Sequence, residues 1–144
     1  MDWKQIAEDL VRVAGNEWLP SRVRERIDSV DHLFVACSGG ADSVFLALYF
    51  GWLSCQGQLN SPITVLHFNH KLRGERSDGD EAFTHELCDA LGIVCVSADW
   101  IHSGNTASVS EEAARVARMA FFAKSVGDPK GGSSILTGHH ADDI

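Results

Sequence analysis

Ser38, Gly39, Gly40, Ala41, Asp42 and Ser43 form the stretch of this sequence best suited to chemistry. Two adjacent glycines let the backbone approach a ligand closely, hydroxyls bracket the turn, and a carboxylate stands inside it. A short apolar run ends just before Ser38 and an almost wholly apolar segment follows Ser43, which reads as strand, tight turn and helix start. Several backbone N–H groups of a first helical turn face outward there, and an anion belongs against them. An ordinary strand-to-helix connection would also use Gly-Gly, with Asp42 or Ser43 as no more than a cap. The whole hexapeptide favours the anion site. A carboxylate beside phosphates points to a metal ion, so Asp42 is the candidate metal-holding residue. The lysine and spacing of the Walker loop are missing, and transfer of a γ-phosphate is not indicated.

Two later stretches carry further reactive groups. HFNHKLRGER supplies His67, Asn69, His70, Lys71, Arg73 and Arg76, and Ser77 then precedes Asp78, Asp80 and Glu81, an acidic turn suited to a helix N-terminus. The HxxH pair hints at a metal, but two histidines need further ligands, and solvated loop residues would look the same. The closing TGHHADDI holds His139, His140, Asp142 and Asp143, where an ordinary helix start would also use the acids. Between these stretches, Arg115 and Arg118 are neighbours on a helix that starts at Ser110. Each either pairs with Glu111 or Glu112 or turns its guanidinium toward phosphate or a base.

Regular elements must bring these groups together. His32 to Cys37, Ile63 to Phe68, Ile93 to Ser97 and Ile135 to Thr137 read as strands of a parallel sheet. The segment from about Asp42 to Ser54 is apolar on every side and belongs against that sheet. A helix after Ser77 buries Phe83, Leu87, Ala90 and Leu91, and the helix after Ser110 packs through Ala113, Ala117, Ala120 and Phe121. Ahead of the sheet, Trp3, Ile6, Leu10 and Val13 mark an amphipathic helix. Ser21 caps a second, short helix, whose Arg22, Arg24 and Arg26 alternate and so suit a solvated helix better than a basic stripe for RNA. Strand, helix and strand in close succession make a βαβ unit, and ligands of such sheets collect at the carboxyl ends of the strands. The three polar stretches all leave that edge. The expected fold class is α/β, a parallel sheet with helices on both faces.

At 144 residues, 44% hydrophobic and 22% charged, the chain has enough apolar material for one globular core. No segment is long and apolar enough to cross a membrane, and MDWKQIAEDL lacks the layout of a secretory signal, so the cytoplasm is the expected compartment. A formal net charge of -8 argues against a general nucleic-acid binder, although local basic patches remain open. Cys37, Cys55, Cys88 and Cys95 show no CxxC pairing and read as small buried hydrophobes. Cys37, beside the glycine turn, is the candidate for a reactive thiol, with a strand-end core residue as the simpler account.

The hexapeptide resembles the PP-loop, SGGxDS, of N-type ATP pyrophosphatases, which split ATP between its α and β phosphates. Taken in order, SGGADS, HFNHKLRG with its acidic helix start, SEEAARVAR and LTGHHADD resemble the tRNA(Ile)-lysidine synthetase family from about His32 to the last residue. SGGxDS alone identifies the superfamily; the other elements are more selective. The resemblance implies an adenine nucleotide alpha hydrolase-like, Rossmann-like PP-loop domain over residues 31–144, behind an N-terminal helical segment over residues 1–30. It implies an ATP-dependent ligation in which a cytosine carbonyl oxygen is adenylated, pyrophosphate leaves, and the ε-amine of free lysine attacks the activated carbon. ATP and Mg2+ are the implied cofactors. An isoleucine tRNA and free lysine are the implied partners, with no membrane and with a homo-oligomer left open. By the same resemblance Ser38, Gly39, Gly40, Ala41, Asp42, Ser43, His67 and Arg118 bind ATP, Asp42 also holding the metal. His70, Arg73 and Arg115 bind substrate, and Asp42, His139 and Asp143 are catalytic, with His140 on the nucleotide side and Asp143 near the lysine amine.

The sequence departs from that family at two places. Met119 stands where a tyrosine is common after the second arginine, and the family pattern runs beyond Asp143 to a glutamate and a threonine whereas this chain stops at Ile144. The expectation is a fragment or natural truncation that holds the nucleotide half of the site and is poorly active alone. Two other readings stand beside it. A sulfur-transferring PP-loop enzyme acting on tRNA generally carries paired cysteines, and a non-catalytic nucleotide-binding module needs only the first loop.

Overall fold

A computed structural model of the protein describes residues 1–71, 75–100, 111–127 and 132–138. Four strands, β1 (His32–Ala36), β2 (Ile63–Asn69), β3 (Val94–Asp99) and β4 (Ser133–Leu136), form one sheet in the order β3-β2-β1-β4. All pairings are parallel: Val35 lies opposite Val65 and Leu136, and Val65 opposite Cys95. Because successive side chains along a strand face opposite sides, Leu33, Val35, Ile63 and Val65 enter one core cluster while Phe34, Ala36 and Leu66 enter another. Runs such as ITVLHF, apolar without alternation, are what a strand buried on both faces requires.

Five helices complete the described fold: α1 (Trp3–Ala14), α2 (Ser21–Ser29), α3 (Ala41–Cys55), α4 (Glu75–Leu91) and α5 (Glu111–Val126). Helices α3 and α4 cover one face of the sheet and α5 the other, which is the α/β architecture expected. The all-round apolar character of α3 has its cause in its neighbours: the sheet lies on one side, and α1 and α4 pack on the others. Trp3 of α1 sets its ring edge-on to Phe83 of α4 at 5.1 Å, and Trp18 does the same to Phe45 and Tyr49 of α3 at 5.1 and 5.0 Å. Tyr49 donates its hydroxyl to the Gly15 carbonyl at 2.7 Å, so the end of α1 is tied to α3. Trp3, Ala7, Ile27 and Val30 share one core cluster with β1 and β2. Among the described residues no helix is long and apolar enough to cross a membrane.

Several local expectations are corrected. Val13 is exposed, because a 3.6-residue period set by Trp3 and Ala7 passes through Leu10, Val11 and Ala14 instead. Ser21 occupies the first turn of α2 and caps nothing; Pro20, at φ -58 and ψ 142, precedes the helix without a side-chain bond. Helix α4 begins at Glu75, before Ser77, and Ser77 is buried within it. Helix α5 packs through Phe121 and Phe122 while Ala113 and Ala120 are exposed, since aromatic bulk outweighs an alanine stripe. Cys37 and Cys88 are buried as expected, but Cys55 is exposed at the end of α3 and Cys95 only half-buried. Ser110 lies outside the described residues.

Replacing Trp3 with alanine should lower the unfolding free energy in urea by about 3–5 kcal/mol, the range for a buried aromatic truncated to a methyl. A loss below about 1 kcal/mol would show that α1 is dispensable to the core.

Candidate functional site

The first loop is held in shape by its own side chains. Ser43 Oγ accepts the Ser38 N–H at 3.0 Å and donates to the Gly40 carbonyl at 3.0 Å. Ser38 Oγ lies 3.2 Å from Ser43 Oγ and accepts the Gly40 N–H at 3.3 Å. The two bracketing hydroxyls therefore meet across the neck of the turn. Gly39, at φ +98, takes the left-handed backbone that the turn requires and that side chains disfavour. Gly40 stands at the N-cap of α3 with no side-chain cap bond, so the first helical turn opens toward the ligand side.

Strand β2 fixes where this loop begins. Cys37 donates its N–H to the Leu66 carbonyl at 2.9 Å, one residue past the end of β1. His67, 2% exposed, donates from Nδ1 to the Cys37 carbonyl at 2.7 Å. A carbonyl only accepts, so that bond sets the tautomer of the neutral ring and leaves Nε2 as a bare acceptor, for which the described residues offer no partner. Burial pushes the Cys37 thiol up, against weaker opposing bonds from Gly39, Ser43 and Thr84. That environment disfavours the thiolate a reactive cysteine needs.

At the end of β2, the buried Asn69 organises the departing chain. Its side-chain oxygen accepts the Lys71 N–H at 3.0 Å and its amide donates to Asp78 at 2.9 Å. Lys71, whose φ of 56 is unusual for a residue with a side chain, reaches Asp78 at 2.7 Å and Asp99 at 3.7 Å. Strand β2, α4 and β3 are thus clamped together beside the site by one ammonium and two carboxylates.

A cavity of about 690 Å³ opens at this edge, walled by the first loop, the end of β2, the start of α4, α5 and Gly138. Arg115 and Arg118 diverge. Arg115 pairs with Glu112 three residues back at 3.3 Å, whereas Arg118 brings to the cavity wall a buried Nε with no hydrogen-bond partner among the described residues. Gly138, just past β4, presses on the start of α3: a Cβ there would lie 2.8 Å from Ser43 N and 3.0 Å from the Asp42 carbonyl carbon.

Ser38, Gly40, Ala41, Asp42, Ser43, His67, His70, Arg115 and Arg118 all line this cavity, and Gly39 lies within the loop they share. Arg73, His139, His140, Asp142 and Asp143 lie outside the described residues. Among those described, no three His, Cys, Asp or Glu side chains form a metal cluster, so the HxxH pair stands without further ligands of those types. Sequence reasoning named Asn69 among the polar residues of the second stretch but gave it no role, and it did not single out Gly138 or the reach of Asp80 to Gly39. Asn69 carried one readable signal, an amide at the end of an apolar strand. The contacts of Gly138 and Asp80 depend on tertiary packing alone.

The sequence profile of the PP-loop domain family matches residues 16–144. Among curated proteins, the chain is 38% identical over 121 residues to the tRNA(Ile)-lysidine synthase of Chlorobaculum tepidum, covering 78% of this chain and 34% of that protein. The corresponding protein of Geobacter sulfurreducens is 37% identical over 121 residues, covering 78% and 24%, and that of Rhodopirellula baltica 36% over 125 residues, covering 76% and 31%. The chain thus spans about a third or less of these relatives. Among solved structures, the U34-tRNA thiolase NcsA of Methanococcus maripaludis with its 4Fe-4S cluster superposes with a TM-score of 0.62 at 19% identity, over 97% of this chain and 45% of that one. That likeness concerns the fold.

Two outcomes follow from this geometry. Gly138→Ala should destabilise the protein by about 1–3 kcal/mol in urea titrations, because its methyl meets backbone that cannot swing aside; unchanged stability would mean the contact is loose. The Lys71 hydrogen bond, and then that of Asn69, hold the Asp78 carboxyl below its ordinary value near 3.8, while Asp78 holds the Lys71 ammonium above its ordinary 10.5. A depressed acid contributes stability above its unfolded pKa and loses it as pH falls through the folded one, and a raised base loses its contribution as pH rises through its folded value. The clamp is therefore whole between those limits, and Lys71→Met should raise the Asp78 pKa followed by carboxyl NMR. An unmoved titration would remove Lys71 as the cause.

Proposed function

Because the chain belongs to the PP-loop domain family, we propose that it is the nucleotide-binding part of an ATP-dependent ligase that modifies an isoleucine tRNA with lysine in the cytoplasm. The observation that carries this reading is the first loop: closed on itself by Ser38 and Ser43, open at the start of α3, and furnished with Asp42 in place of a Walker lysine. Such a loop suits a diphosphate that departs whole.

In this reading ATP adenylates the carbonyl oxygen of the anticodon cytosine with loss of pyrophosphate, and the ε-amine of lysine then displaces AMP at the activated carbon. Ser38, Gly39, Gly40, Ala41 and Ser43 hold the phosphates through amides and hydroxyls, in a geometry already formed and needing little reorganisation. Asp42 would hold a magnesium ion, whose charge would offset that of the leaving diphosphate. Arg118 Nε, unpartnered among the described residues, donates to the nucleotide, and the bare Nε2 of His67 accepts a donor from the bound nucleotide or from the water of its ion. His70, Arg73 and Arg115 bind the tRNA, Arg115 exchanging its exposed Glu112 partner for phosphate at little loss. His139 serves on the nucleotide side and Asp143 beside the lysine amine. A thiolase reading is less favoured, because Cys37, the cysteine lining the cavity, is 1% exposed and its thiol is pushed up.

The test is exchange of labelled pyrophosphate into ATP in the presence of the tRNA. A ligase domain exchanges label; a binding module shows ATP affinity alone. Asp42→Asn should reduce exchange by about 100-fold or more, the scale of losing one charge-stabilising group. Exchange that survives in that variant would sink the metal role of Asp42.

A further inference from the structure

Among the described residues the cavity wall carries two carboxylates, and one of them comes from outside the first loop. Asp42 belongs to the loop; Asp80 reaches in from α4. A Cβ built on Gly39 would lie 2.9 Å from Asp80 Cγ and 3.0 Å from Oδ1, so the missing side chain at Gly39 admits this carboxylate as well as permitting the turn. Its backbone belongs to α4, where Thr84 Oγ1 donates to the Asp80 carbonyl at 2.8 Å.

An acid early in a helix has a simple explanation in the helix dipole. That explanation covers Asp78 too, yet the two acids are used differently. Asp78 is gripped by Lys71 and Asn69, whereas Asp80 has no ion pair among the described residues and is directed at the turn that faces an anion. A second negative charge against bound phosphates repels them unless a cation lies between. A separate observation indicates an occupant: His67, 98% buried by its 2% exposure, lines the same cavity with Nε2 fixed as an acceptor and unpartnered among the described residues. A hydrated cation brings O–H donors, which suit both an acceptor and two carboxylates.

We propose that Asp80 is the second carboxylate of the divalent-cation site, holding with Asp42 the ion that accompanies the nucleotide. The chemistry fits magnesium or manganese, which keep several waters and are bound by one or two carboxylates together with substrate phosphates. This rests on the nucleotide reading of the same cavity and assigns Asp80 as a ligand of the ion, directly or through its water.

The experiment measures ATP affinity of the chain with and without Mn2+, following free Mn2+ by electron paramagnetic resonance. Asp80→Asn, which keeps the shape and removes the charge, should leave metal-free ATP affinity unchanged or raised. It should also cut the gain in affinity conferred by Mn2+ by about tenfold or more. A variant that keeps the full Mn2+-dependent gain overturns the proposal while leaving nucleotide binding intact. Loss of metal-free affinity as well would make Asp80 a prop of the loop and also overturn it. If the unaltered chain binds no ATP under either condition, the nucleotide reading itself fails.

Discussion

Both backbone polar groups of Cys37 are taken by strand β2: the N–H by the Leu66 carbonyl and the carbonyl by His67. Buried backbone groups need partners, and these two bonds settle where β1 stops and the turn starts. From that point the geometry propagates. Ser38 can meet Ser43 because Cys37 is pinned, α3 can start at Ala41 because the hydroxyls close the neck, and α3 then presents its first turn beside Gly138. His67 does this from inside the sheet. A motif residue that looks like a nucleotide contact is therefore also a structural tie, and its remaining nitrogen is left buried without a partner among the described residues.

Much of this was legible in the order of residues. The unbroken apolar runs at Leu33 and Ile63 announced strands buried on both faces, the all-round apolar α3 announced a helix enclosed by neighbours, and SGGADS announced the turn between. These features are local, and local patterns survive in one dimension. What was hidden depended on choices among similar patterns or on distance. Alanines and phenylalanines in α5 offered two possible faces, and contact with Phe34, Ala36 and Leu66 selected the aromatic one. Trp3, Ile6 and Leu10 of the expected stripe do face the core, but Val13 lies about 100° around the helix from the face centred on Trp3 and Ala7. The reach of Asp80 to Gly39 joins residues forty-one positions apart, and no spacing rule connects them.

Asp78 and Asp80 show how position alone divides two identical groups. Two residues apart on a helix, side chains point to nearly opposite sides. Asp78 meets an ammonium and an amide on the β2 and β3 side, and its charge is absorbed in holding the loop after Asn69. Asp80 meets a glycine in the phosphate-facing turn. With an overall charge of -8, the protein places its acids in different roles rather than offering a uniform repulsive surface to a nucleotide.

The strand order β3-β2-β1-β4 also has an entropic side. Pairing β1 with β2 and β2 with β3 closes chain segments of a few tens of residues, but pairing His32 with Ser133 and Leu33 with Ser134 closes about a hundred. Non-local contacts of that kind form late, because the chain must lose its freedom before the contact rewards it. Gly138 rides on β4, so the wall it builds against Asp42 and Ser43 belongs to the last piece of sheet to assemble. During synthesis the phosphate turn can take shape on β1, β2 and α3 while its cavity is still open on one side.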